Sequence, residues 1–127
     1  SGSPALPFLI CCPSPELTMI EARQKKAVFL REASRAINLN TRVEACRFED
    51  FAQQSHPGFD TVITRAVRVD QGLLATIDRT LATDGRFYYF TSKDAVTKHP
   101  NPNHLATTTT DFVNPAGFRV VTHNRTR

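Results

Sequence analysis

The sequence predicts an α/β fold of the doubly wound kind: a mainly parallel sheet with helices between its strands and an antiparallel hairpin near the end. Three observations carry this. Short β-prone runs alternate with amphipathic helical stretches along most of the 127 residues, and such alternation builds parallel strands joined by crossover helices. Proline, glycine and asparagine punctuate the ends of these runs. The last two β-prone runs, "TTTTDFV" and "GFRVVTH", are joined through "NPAG", a spacing that suits a hairpin.

The elements follow in order. "PALPFLICC", 4–12, reads as a short buried helix, since Pro4 and Pro7 both fall within a first turn. "LTMIEA", 17–22, is a short strand bounded by the turn "PSPE". Residues 23–38 are the clearest helix, with Phe29, Leu30, Ala33 and Ile37 at helical spacing and Arg23, Lys25, Arg31 and Arg35 largely elsewhere on the wheel. Asn38 and Asn40 can end it, because asparagine tolerates the left-handed conformation. "RVEACR", 42–47, alternates as a strand, "FEDFAQQ" is a short helical turn and "SHPG" is a breaker. "FDTVITRAV", 59–67, reads as a buried strand. Residues 70–82 form a second amphipathic helix through Leu73, Leu74, Ile77 and Leu81, with Gly85 as its expected cap. "RFYYFTS", 86–92, is an aromatic strand, and "KHPNPNH", 98–104, a loop.

Composition narrows the possibilities. The length suits one small domain, 1–127, and 40% apolar residues can build a packed core. A net charge of +4 favours an anionic partner such as RNA, or simply a soluble surface. Cys11, Cys12 and Cys46 form no metal-ligand spacing, and an odd, sparse count suits a reducing compartment. The longest apolar run, Ala5 to Cys12, is too short to cross a bilayer and lacks the basic flank of a signal peptide. The expected location is the cytoplasm. No histidine is given a metal role.

Glu21 closes a strand just where a cationic helix begins. In a doubly wound fold ligands lie outside the carboxyl ends of the strands, and a carboxylate there can accept both hydrogen bonds of a ribose diol. Glu21 follows Gly2 by 19 residues, near the usual spacing between a glycine-rich turn and its ribose acid. The alternative is that Glu21 favours the positive end of the helix, worth about 0.3–1 kcal/mol. An intact G-x-G-x-x-G would have favoured a nicotinamide-dependent oxidoreductase, and the chain contains none.

"TMIEARQKKAVFLREA", 18–33, resembles the "T-L-[VL]-[DE]-S-x-x-K-[RK]-x-x-F-L-R-E" stretch of the RsmG (GidB) family, bacterial methyltransferases acting on guanine N7 of 16S ribosomal RNA. "PALPFLI", "VEACRFEDF", "FDTVITRAV" and "GRFYYFTSK" resemble further segments of that family in the same order, over roughly residues 2–93. The resemblance implies a Rossmann-like class I S-adenosylmethionine-dependent methyltransferase fold whose first strand is missing, leaving neighbouring strands with unpaired edges or paired with each other. It implies S-adenosyl-L-methionine as cofactor, with Gly2 and Ser3 in the glycine-rich loop, Glu21 on the ribose hydroxyls, Phe48 and Glu49 beside the adenine and Arg65 near the methionine end. Arg65 and Lys93 are the implied catalytic contacts and Arg47 an implied RNA contact; Lys25 and Lys26 are candidate RNA contacts by their charge, the alternative for them, as for Arg23 and Arg31, being a solvated helix face. The implied partner is 16S rRNA or the small ribosomal subunit, bound by a monomer without metal or membrane. Guanine N7 is already nucleophilic, so the reaction needs placement rather than a strong base, in keeping with a chain that shows no His–carboxylate or Cys–His constellation. The chain departs from the family pattern at Ala5, Ser3 and "TSKD". The competing reading is a non-catalytic basic module that binds rRNA and has lost the cofactor site.

Overall fold

The computed structural model describes residues 5–12, 15–54, 56–65, 70–92, 105–110 and 118–125. Gly2, Ser3, Lys93 and the 98–104 loop lie outside them. The chain divides into two compact units, Ser1–Gln54 and Ser55–Arg127.

The first unit runs α1 (Ala5–Cys11), β1 (Leu17–Ile20), α2 (Gln24–Ala36), β2 (Thr41–Glu44) and α3 (Phe48–Gln53). β1 and β2 pair in parallel, from Leu17 against Thr41 to Ile20 against Glu44. Parallel neighbours cannot be joined by a tight turn, so the chain returns through α2, which packs on β2. That helix ends in a Schellman motif: Asn38, at φ 54°, donates its N–H to the Arg35 carbonyl, and Leu39 donates to that of Ser34. The expectation for Asn38 is met.

The buried stripe of α2 differs from the one predicted. Ala27, Leu30 and Ser34 face inward, while Phe29 is 59% and Ile37 45% exposed. Ala27, Leu30 and Ser34 stand at i, i+3 and i+7 on one face, whereas Phe29 lies about 200° around the wheel from Ala27. Two small residues on the inward face let the helix lie close to its sheet. The Ser34 hydroxyl is satisfied there by donating to the Leu30 carbonyl at 2.7 Å. α1 contacts β1 and buries Leu9, but Pro7, Ile10 and Cys11 are exposed, so it is not a buried helix throughout.

The second unit runs β3 (Phe59–Arg65), α4 (Gln71–Thr80), β4 (Leu81–Ser92), β5 (Leu105–Thr110) and β6 (Phe118–Arg125). Its strand order is β3-β4-β6-β5, with β3 and β4 parallel and β5 and β6 the expected antiparallel hairpin. The Asp70 carboxylate caps α4 by accepting from Leu73 N at 2.8 Å. Leu74, Ile77 and Leu81 are buried as the periodicity predicts, beside Phe87 and Tyr89 of β4, whose rings lie 5.4 Å apart. Buried Thr76 and Thr80 donate to the carbonyls of Gly72 and Thr76, the same solution as at Ser34.

Two expectations are corrected here. β3 is half-buried rather than buried: Val62 and Ile63 retain partial exposure because β3 is the edge of its sheet. Gly85 does not cap α4, which ends at Leu81, but lies inside β4. Phe59 pairs with Leu81 and Thr61 with Arg86, so two steps of β3 meet five of β4. The surplus is taken up by a bulge that includes Asp84 at φ 64°. A Cβ on Gly85 would stand 2.7 Å from the Ala82 carbonyl oxygen and 2.9 Å from that of Phe59. Backbone approach, not helix termination, demands the glycine.

Among the described residues β1 pairs only with β2, and β3 only with β4.

Two substitutions of one kind should therefore have opposite signs in chemical denaturation. Gly85→Ala should cost about 1–3 kcal/mol through overpacking. Gly72→Ala, in the first turn of α4, meets only Asp70 Oδ1 at 3.4 Å and should add up to about 0.5–1 kcal/mol. Burial also pushes the Tyr89 phenol up to about 12 from an ordinary value of 10. The fold favours the protonated phenol, so the stability tied to it is complete below pH 10 and is lost as pH rises from 10 to about 12. Denaturation midpoints measured across that window should fall less for Tyr89→Phe than for the parent chain.

Candidate functional site

Glu21 is the first residue beyond β1, and its backbone N–H donates to the Glu44 carbonyl at the end of β2, at 3.0 Å. That bond ties together the carboxyl ends of the two parallel strands. The Glu21 carboxylate is half-buried and accepts from Arg23 N through Oε1, at 3.1 Å. It thus serves the start of α2, where Arg23 supplies no side-chain cap of its own. Oε2 and the remaining lone pairs of Oε1 keep acceptor capacity. The two readings of Glu21, helix partner and ligand acid, are compatible in this geometry.

The loop after β2 leads to Arg47, which is exposed and stands at the N-cap of α3, and then to half-buried Phe48 and exposed Glu49 in the first turn. Glu49 and Asp50 are well placed for the helix dipole. The structure therefore brings Glu21, Arg47, Phe48 and Glu49 to one end of the β1–β2 pair. Lys25 and Lys26 join them, because the first turn of α2 begins at that same end. No acid lies in that turn, so both lysines stand where the dipole disfavours a cation, by about 0.3–1 kcal/mol each. Such a break of a local rule is expected at functional or strained positions.

Cys46 lies in the same loop. Burial pushes its thiol up from its ordinary value, and the charges of Glu44 and Asp50 push it further in the same direction. It stays a thiol at neutral pH and is a poor nucleophile. Glu44 itself pairs with Arg42 at 2.8 Å. Among the described residues no group of three or more His, Cys, Asp or Glu could hold a metal ion, and no helix is long and apolar enough to cross a membrane.

In the second unit, Arg65 is the last residue of β3 and is exposed at its carboxyl end. Gly2, Ser3 and Lys93 are outside the described residues.

Sequence reasoning overlooked a second feature of the first unit. A groove of about 310 Å³ opens between the last turns of α2 and the start of β2, lined by Arg31, Arg35, Asn38 and Thr41 among others. The available signal was the i, i+4 spacing of Arg31 and Arg35, with Asn38 one turn on. In the sequence Arg31 and Arg35 are simply charged positions off the apolar stripe and Asn38 a helix end, which hides their convergence.

Comparison with known proteins bears on the family and the fold. The family model described as GidB, rRNA small subunit methyltransferase G, matches residues 1–115. Ribosomal RNA small subunit methyltransferase G of Saccharophagus degradans is 34% identical over 88 residues, 68% of this chain and 39% of that protein. Its counterpart in Stenotrophomonas maltophilia is 36% identical over 74 residues, 58% of this chain and 34% of that protein. The chain thus spans little more than a third of the length of these relatives. Among solved structures, an rRNA methylase of Streptococcus thermophilus superposes with a TM-score of 0.68 at 12% identity, covering 88% of this chain and 74% of that one. A candidate methyltransferase of Streptococcus mutans in complex with SAH gives 0.63 at 14% identity, covering 87% and 76%. These likenesses show the fold, that of class I methyltransferases. With the family model matched across both units, the chain belongs to the rRNA small subunit methyltransferase G (GidB) family.

Proposed function

We propose that this chain takes part in S-adenosylmethionine-dependent methylation of guanine N7 in 16S ribosomal RNA, as a single methyltransferase domain over 1–127. The observation that carries the reading is Glu21, a half-buried carboxylate with spare acceptor capacity at the carboxyl end of a parallel strand, beside a lysine-bearing helix start. The family assignment supports it, and so does the SAH held by a protein of the same fold.

Glu21 would accept hydrogen bonds from the two ribose hydroxyls, and Phe48 with Glu49 would flank the adenine. Gly2 and Ser3 would let the backbone approach the methionine moiety. The cofactor supplies an electrophilic methyl group on a sulfonium. The guanine N7 lone pair can take that methyl directly, so the chain's task is alignment, which can supply about 7–11 kcal/mol of the barrier. Arg65 and Lys93 would hold the base, a guanidinium being suited to guanine O6. Arg47, Lys25 and Lys26 would hold phosphates. The product N7-methylguanine gains the positive charge that the sulfonium loses, so no proton has to move. The partner would be the small ribosomal subunit, met in the cytoplasm by a monomer.

Calorimetry with S-adenosylhomocysteine tests the cofactor step. The chain should bind it, and Glu21→Ala should weaken binding about 10- to 100-fold, the worth of hydrogen bonds to a charged group. Glu21→Gln, which keeps one acceptor oxygen, should fall between. No heat from the parent chain, or equal affinity for all three, overturns the reading of Glu21.

A further inference from the structure

The groove between α2 and β2 has a chemistry of its own. Arg31 and Arg35 stand one turn apart on α2, so their side chains lie on one face of the helix. One N–H of the Arg31 guanidinium, on Nη2, donates to the Val43 carbonyl at 3.1 Å, which holds the side chain across the seam between helix and strand. A guanidinium has five N–H donors, and this bond uses one. Arg35 is exposed and has no ion pair among the described residues. Asn38 and Thr41 add an amide and a hydroxyl to the wall, and no carboxylate lines the groove. The volume of about 310 Å³ is at the lower end of what small-ligand sites occupy. Two convergent guanidiniums with spare donors and no acid between them form a receptor for a tetrahedral oxyanion, since arginine matches phosphate oxygens in bidentate fashion.

We propose that this groove binds a phosphodiester group of RNA, as an anchoring site separate from the carboxyl-end surface that carries Glu21. The inference rests on the rRNA reading of the chain. It adds a place: α2 runs back against its strands, so its last turns lie at the amino end of β2. Lys25 and Arg35 are separated by ten residues of helix, about 15 Å at 1.5 Å per residue. A bound RNA strand would run along α2 from Lys25 in the first turn, which lies about 80° around the wheel from Arg35, to the arginines of the last turns. Both ends of the helix would then carry phosphate contacts that position the RNA without reading its sequence.

The test compares three proteins: the parent chain, Arg31→Gln/Arg35→Gln, and a charge-matched control, Arg42→Gln/Arg79→Gln, whose residues do not line the groove. Affinity for a labelled RNA hairpin of 16S rRNA sequence is measured over a range of salt concentrations, and S-adenosylhomocysteine binding is measured in parallel. The groove variant should lose about tenfold in RNA affinity, and its log–log salt slope should shrink by about one. The control should lose distinctly less, and cofactor affinity should match the parent in all three. Arg35→Gln alone, which removes no hydrogen bond seen in the structure, should show part of the loss and guards against misfolding of the double variant. Equal losses in groove variant and control overturn the proposal and leave only general charge attraction. A groove that responds to inorganic phosphate by thermal shift, while RNA affinity is unchanged in the variant, also overturns it. A parent chain that binds the cofactor but no RNA removes the rRNA reading itself, a result distinct from both.

Discussion

Parallel pairing of neighbouring strands is the constraint on which the other features depend. β1 lies parallel to β2 and β3 parallel to β4, and no tight turn can join such neighbours. Each crossover must leave from a carboxyl end, pass through a helix and re-enter at an amino end. The loops that leave are the ones with freedom to carry ligand-binding side chains, while the sheet fixes where they start. Glu21, the Arg47–Glu49 segment and Arg65 all occupy such departures. Their placement is therefore a matter of chain direction first and residue chemistry second.

Much of this architecture was legible in the residues. Element order, the parallel pairs and the terminal hairpin follow from alternation of helical and strand periodicity, which is a property of hydrophobic spacing. Asn38 was legible because few residues accept a positive φ. The errors have a common origin in contacts that periodicity does not encode. Phe29 looked like core because aromatic residues usually are, but the face chosen by α2 is set by how closely Ala27 and Ser34 let it approach. Gly85 looked like a cap because it follows a helix. Its role comes from the Phe59 backbone, some 26 positions earlier. Leu81 ends a helix and begins a strand without any intervening loop, and no turn residue marks that junction.

The candidate site divides in a similar way. Glu21 was readable because a lone acid between an apolar run and a basic helix is conspicuous. Its service to the helix start was readable too, and only its form, a bond accepted from Arg23 N, needed three dimensions. Lys25 and Lys26 were readable as charges but not as charges placed against a dipole, because that requires the first residue of the helix. The groove was opaque for a further reason: its walls come from the end of one element and the beginning of the next, joined by a Schellman motif that turns Thr41 back toward Arg31. Interleaved solvated arginines and a convergent pair share the same one-letter spelling.

Among the described residues β3 has a strand partner on one side only, which bears on colloidal behaviour. An edge strand exposes a ladder of unsatisfied amide and carbonyl groups, a template on which another molecule can polymerise. Its centre, Val62–Ile63, is the adhesive part, and exposed Asp60 and Arg65 bracket it. Opposite charges at the two flanks act as gatekeepers against cross-molecule stacking. Arg65 would then serve solubility whatever its part in the proposed reaction, and a defect on replacing it is to be weighed against soluble yield.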